Sequence, residues 1–235
     1  MSFLIPEKEK GETYRLEKNL AETEGYGIPY HLAKELFDFC KYGSLMSVAS
    51  KMLLYTGCRI SEINNMKRTN IHENIIYWKC GKRQKVFRKE YLPDHFLAEL
   101  NAYWATNKLP ADAVISVKSK TLSRYFRRDY RPFLSKEWNE KRLVMTNNST
   151  SYSYKYALKG FRKNFATQLF IFYWSKYSDA SVAVDMVSKR MKHSSRAMTV
   201  SHYIESVEEI EAEKFSQYMP SEIIGMQTQK RILDY

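Results

Sequence analysis

Nothing in this sequence of 235 residues is long and apolar enough to span a membrane. A span needs about 20 uninterrupted apolar residues, and the longest run, around Leu169–Trp174, falls far short of that. A secretory signal is also missing, because Met1-Ser2-Phe3-Leu4-Ile5-Pro6 runs straight into Glu7-Lys8-Glu9-Lys10, without the basic-then-apolar order. Cysteine is scarce. Cys40, Cys58 and Cys80 are odd in number and widely spaced, which excludes a disulfide framework and reads as free thiols in a reducing, cytoplasmic compartment. His31, His72, His95, His193 and His202 show no ligand-type pairing with those cysteines, so no metal site is expected. Glycine numbers only 8, and no Gly-rich phosphate loop occurs, so no nucleotide cofactor is expected. Acidic residues are outnumbered, 26 against 38 Lys and Arg, for a formal net charge of +12.

What is present is a chain able to fold, with 44% hydrophobic residues. Its cationic surplus suits a polyanion, because released counterions favour nucleic acid on such a surface. Residues 1–27 are polar, charged and Gly-bearing, and read as an arm or linker. A helix is expected from Pro29 towards Lys41, a second over Leu45–Tyr55 and a third over Ile60–Met66. Asn74–Cys80 and Lys85–Tyr91 read as paired strands around a turn at Gly81–Gln84. Helix is expected again over 94–107, and 119–131 mixes basic and aromatic side chains. Asn147–Ser153 reads as a polar loop, followed by helices over Tyr156–Trp174, Ala180–Met191 and Arg196–Glu213. The fold class expected is α+β, predominantly α-helical with a small antiparallel β-sheet. A single folded domain is expected over 28–219, with 220–235 as a tail. From Ile204 to Tyr235 seven acidic residues face three basic ones, leaving −4 there and +16 on the first 203 residues. The basic body and acidic end therefore suit different partners.

Four short motifs carry the chemistry. In Thr56-Gly57-Cys58-Arg59-Ile60-Ser61-Glu62, Gly57 permits a sharp helix-ending turn. Arg59 then starts the next helix, where backbone N–H groups also favour an anion; taken alone, it forms a surface ion pair with Glu62. The second motif is the turn Gly81-Lys82-Arg83-Gln84-Lys85. The third is Lys159-Gly160-Phe161-Arg162-Lys163-Asn164-Phe165-Ala166-Thr167, which puts Lys159 and Arg162 on one helix face and Phe161, Phe165 and Leu169 on the other. The fourth is Met191-Lys192-His193-Ser194-Ser195, followed by Thr199 and then His202-Tyr203.

In this order the motifs resemble the tyrosine recombinase (phage integrase) family over about residues 30–215. That family's pattern is T-G-x-R-x-S-E, a hairpin G-K-x-x-K turn, H-x-L-R-H-x-F-A-T, then L-G-H-S-S and a Tyr nine residues beyond that His. The spacings agree: 103 residues from Arg59 to Arg162, and 41 from Arg162 to Tyr203. The resemblance implies the tyrosine recombinase catalytic-domain fold and site-specific recombination, as in integration or excision of a viral genome. Double-stranded DNA is then the substrate, self-association into a tetrameric synapse is expected, and neither membrane nor cofactor takes part.

It also implies roles. Tyr203 is the nucleophile that forms a 3′-phosphotyrosine bond. Arg59 and Arg162 hold the non-bridging phosphate oxygens, whose growing charge two guanidiniums can neutralise without a metal. Lys82 is the general acid, with Lys79 and Lys85 as fallbacks, and His193 bonds the scissile phosphate. Lys79, Arg83, Lys85, Arg124, Arg127, Arg128, Arg131 and Lys163 are expected to contact DNA, while the aromatics of 119–131 face the core.

The pattern is departed from twice. Lys159 stands where the family has His, as in some integrases of archaeal viruses. An ammonium can contact phosphate but does not readily take a proton from tyrosine, so the general base stays open, with His202 as another candidate. Ten residues separate His193 from Tyr203 where nine is usual, and Lys192 replaces the family's Gly. Family members also carry a helical core-binding domain of roughly a hundred residues before the first motif, whereas 58 residues precede Arg59 here. A type IB topoisomerase uses the same chemistry, and a DNA-binding remnant or regulator without catalysis is the alternative from a different class.

Overall fold

The computed structural model describes residues 26–193 apart from 81–85, 110–111, 116 and 147–148, together with Thr199. The predicted hairpin tip with Lys82, Arg83 and Lys85, the predicted helix over Arg196–Glu213, and Tyr203 therefore lie outside the described residues.

Helices α1 (Tyr30–Phe39), α2 (Leu45–Thr56) and α4 (Asp94–Thr106) build most of the main core with a three-stranded antiparallel sheet. Ser44 caps α2 by accepting the Ser47 N–H, and Gly57 ends it in the left-handed region (φ 56°), as a sharp turn requires. The third expected helix is much shorter than read. It comprises only α3 (Ile60–Ile63), after which Asn64 and Asn65 turn the chain, since Asn competes for its own backbone hydrogen bonds. The sheet is ordered β1 (Ile71–His72), β2 (Ile75–Cys80), β3 (Val86–Tyr91). Its hairpin pairs Ile75 with Tyr91 and Cys80 with Val86, as the sequence suggested.

Helix α5 (Ser119–Tyr125) continues through irregular helical turns over Phe126–Tyr130 and Arg131–Phe133. Leu122 and Phe126 are buried, which meets the expectation that its apolar residues face inward. Residues 149–153, within the loop expected over Asn147–Ser153, are strand. Strands β4 (Lys141–Thr146) and β5 (Ser149–Tyr154) make a separate two-stranded ribbon. The alternation Ser151-Tyr152-Ser153-Tyr154 is a strand pattern, overridden in the sequence reading by its polarity.

Helix α6 (Gly160–Tyr177) joins two cores. Phe161 lies in the main one and stacks on Phe37 at 5.6 Å. Phe165, Ala166, Leu169, Phe170 and Tyr173 build a second with α7 (Ala180–Met191). Asp179 caps α7, its carboxylate accepting the Ser181 and Val182 N–H groups. Burying the Phe161, Phe165 and Leu169 stripe fixes the rotation of α6 and turns Lys159 and Arg162 towards a cleft. No described helix is long and apolar enough to cross a membrane.

Candidate active site

The turn after α2 is where the site begins. A Cβ on Gly57 would fall 2.2 Å from the Phe165 ring, so glycine is required there both by its φ and by the close approach of α6. That approach brings the Gly57 carbonyl to Arg162, whose guanidinium donates to it. Arg162 is buried at 4% exposure. Its other terminal nitrogen lies 3.2 Å from His193 Nε2, and His193 Nδ1 lies 2.7 Å from Thr199 Oγ1. Because a guanidinium only donates, His193 Nε2 accepts and Nδ1–H donates to Thr199. The imidazole thus bridges Arg162 and a fully buried threonine.

His193 owes its position to the end of α7. Lys192 adopts the left-handed conformation (φ 54°) and the His193 N–H closes back on the Ser188 carbonyl at 3.0 Å. That is the helix-ending geometry glycine favours. Lys192 therefore holds a conformation that glycine favours, despite its side chain.

Arg59 sits at the N-cap of α3. Its guanidinium pairs with Glu62 at 2.8 Å, and the Glu62 carboxylate accepts the Arg59 N–H at 3.0 Å. Burial works against ionised Glu62, but the Arg59 N–H, the Arg59 guanidinium and the charge of Arg162 outweigh it, holding the carboxyl below the usual glutamate range. The ion pair expected for Arg59 taken alone is therefore present. Glu62 orients Arg59, whose side chain remains 39% exposed at the rim of the cleft.

Arg59 and Arg162 line one cleft of about 620 Å³ with Lys159, Lys163, Lys120, Arg124 and Arg127. Its described lining holds seven Lys or Arg and no Asp or Glu. Cys58, also in the lining, is fully buried, and burial raises its thiol to about 12, so it offers no thiolate nucleophile. A concave surface of one sign focuses its field on an anion.

The other expected contacts separate. Lys79 is exposed on β2, with its ammonium 5.4 Å from the Phe87 ring centre. Arg128 is exposed but paired with Asp129. Arg131 is a correction. It is 1% exposed, donates to the Trp138 and Tyr156 carbonyls and lies 3.8 Å from the Tyr154 ring centre. Burial lowers its pKa to about 10. It staples the ribbon to the main core and does not face DNA.

Sequence reasoning missed Arg88. It is buried, donates to the Gly57 and Thr56 carbonyls at 3.2 and 2.8 Å, and is neutralised by Glu90, which also pairs with Arg190. Alternation along β3 was the available signal, since Arg88 and Glu90 fall on the inward face.

Against solved structures, the chain is similar to XerA recombinase, with a TM-score of 0.56 and 19% identity over 84% of this chain and 65% of that one. It is also similar to a lambda integrase dimer bound to a COC′ core site, at 0.51 and 13% over 80% of this chain and 62% of that one. The fold is that of a tyrosine recombinase catalytic domain. The chain spans less than two thirds of the length of either structure. Comparison with family models and with curated proteins finds no match. In this chain the turn before α3 and the start of α6 bring Arg59 and Arg162 to one cleft, and His193, at the end of α7, is hydrogen-bonded to Arg162.

Proposed function

We propose that the chain cuts and rejoins double-stranded DNA at a specific site through a 3′-phosphotyrosine bond to Tyr203, as a tyrosine recombinase. One observation carries this reading: Arg59 and Arg162, 103 residues apart in sequence, line one cleft whose described residues include no Asp or Glu, with His193 hydrogen-bonded to Arg162.

In the proposed reaction the scissile phosphate sits between the two guanidiniums. Tyr203 Oη attacks phosphorus, the P–O5′ bond breaks, and phosphate charge is stabilised by Arg59 and Arg162 as it grows. His193 exchanges its Arg162 contact for a bond to the phosphate, which as a donor requires its second proton. Lys82 gives a proton to the leaving 5′-oxygen. The phenol proton passes to a base that is Lys159 or His202. The phosphotyrosine keeps the energy of the broken bond, so a DNA hydroxyl reverses the step without ATP. Pairing of four such chains on DNA, and an origin among archaeal viral integrases, belong to the same proposal. They rest on the motif resemblance and on Lys159.

A nicked suicide duplex, whose short 5′ fragment escapes after cleavage, tests it. Wild type forms an SDS-resistant, protease-sensitive adduct that Tyr203→Phe abolishes. Salt-sensitive binding without an adduct leaves the DNA-binding remnant as the reading, and an adduct that survives Tyr203→Phe means another tyrosine acts.

A further inference from the structure

The β4–β5 ribbon takes no part in the cleft, yet its composition is unlike that of an idle hairpin. From Lys141 to Ser178 the sequence contains no acidic residue and seven basic ones. Among the described residues the ribbon pairs only with itself, an arrangement of marginal stability in water. It nevertheless presents Leu143 and Tyr152 directly opposite each other, 49% and 74% exposed. Lys141 shares their face and Arg142 projects from the other, as alternation dictates.

Its base is rigidly placed. The Arg142 guanidinium and the Lys155 ammonium lie 5.5 and 5.8 Å from the Tyr26 ring centre, and Lys155 pairs with Glu140 at 3.0 Å. Arg131 sits under Tyr154. Two segments of the cleft lining lead here. The chain leaves β5 through Tyr156 and Leu158 to reach Lys159. Arg131 lies within the irregular turns that continue α5 beyond Arg124 and Arg127. The base of the ribbon is therefore joined to the cleft lining through both segments, with Lys141 exposed on it.

We propose that the ribbon is a second DNA-contacting element, lying in a groove of the duplex beyond the segment held in the cleft. Lys141 meets a phosphate, and the Leu143–Tyr152 pair on the same face meets sugars and base edges. A two-stranded ribbon has the width the major groove admits, and strands of six residues reach about 20 Å. This inference rests on the cleft being a DNA site.

The test measures binding of the full chain to two duplexes, one just long enough to fill the cleft and one longer by a helical turn at each end, across a salt series. For Lys141→Ala, affinity for the long duplex drops several-fold and its salt slope falls by about one. Short-duplex binding and adduct formation at saturating DNA stay at wild-type levels. For Leu143→Ser/Tyr152→Ser, long-duplex affinity drops several-fold with the salt slope unchanged. Wild-type affinity and slope in both variants overturn the proposal, as does equal weakening on both duplexes, which assigns the ribbon to the fold. Binding with ribbon dependence but no adduct sinks the cleavage chemistry and leaves the ribbon assignment standing. If wild type binds neither duplex, both fall.

Discussion

Two arginines donate to one carbonyl, that of Gly57, and have opposite fates. Arg88 approaches from the sheet side, stacks 4.8 Å from the Trp78 ring centre and is matched by Glu90, which also holds Arg190. Arg162 approaches from the helix side and borders a cleft whose described lining contains no carboxylate. A buried charge lacking compensation is costly, so the sheet side supplies its own anion. The cleft side concentrates cations at a place where an anion would be stabilised on arrival. The lesson is that the partner in space, not the residue type, separates a structural guanidinium from one suited to phosphate chemistry.

The comparison breaks first on the sheet side. Replacing Glu90 by Gln leaves Arg88 and Arg190 buried together without their carboxylate, and is expected to cost about 3–5 kcal/mol of stability, read from denaturant unfolding. If Glu90→Gln is neutral, the cluster is wetter than its burial implies. Next, Gly57→Ala strains a positive φ and drives a Cβ into Phe165. It is expected to destabilise by about 2 kcal/mol or more and to misplace the carbonyl both arginines share, so adduct formation falls along with stability.

Thr199→Val sharpens the cleft side. Losing the hydroxyl frees the His193 tautomer, so the adduct rate is expected to drop about tenfold, the pH profile to shift, and Thr199→Ser to restore both. A slower rate with an unshifted profile would reduce Thr199 to packing. The smallest effect is at Lys192, which holds a left-handed φ. Lys192→Gly is expected to raise stability by up to about 1 kcal/mol, measured by thermal unfolding, with DNA binding weakened by at most the loss of one surface charge.

Local chemistry was readable and distant pairing was not. The helix over Ala180–Met191 was legible in the sequence, and the first hairpin from its β-branched run. Arg59, Arg162 and His193 were legible because each follows a short motif, and the structure brings those three together. Lys82 and Tyr203 rest on sequence alone. Arg131 and Arg88 were misread or missed for one reason: a charged residue reads as exposed until a fold supplies carbonyls, rings and a carboxylate from segments as far as 100 residues away, as Glu90 and Arg190 are. The β4–β5 ribbon was hidden by its own polarity, since Ser and Asn outweighed the strand alternation.

The central claim is that Arg162 neutralises a non-bridging oxygen of the scissile phosphate. The most direct test replaces that oxygen with a methyl group, in a suicide duplex carrying a methylphosphonate at the cleaved position. On ordinary DNA, Arg162→Ala is expected to lower adduct formation by about two to three orders of magnitude. On the methylphosphonate, whose transition state lacks the charge to be neutralised, Arg162→Ala is expected to recover most of the wild-type rate. Equal loss on both substrates, with the variant folded, would mean that Arg162 holds the turn at Gly57 and not the phosphate.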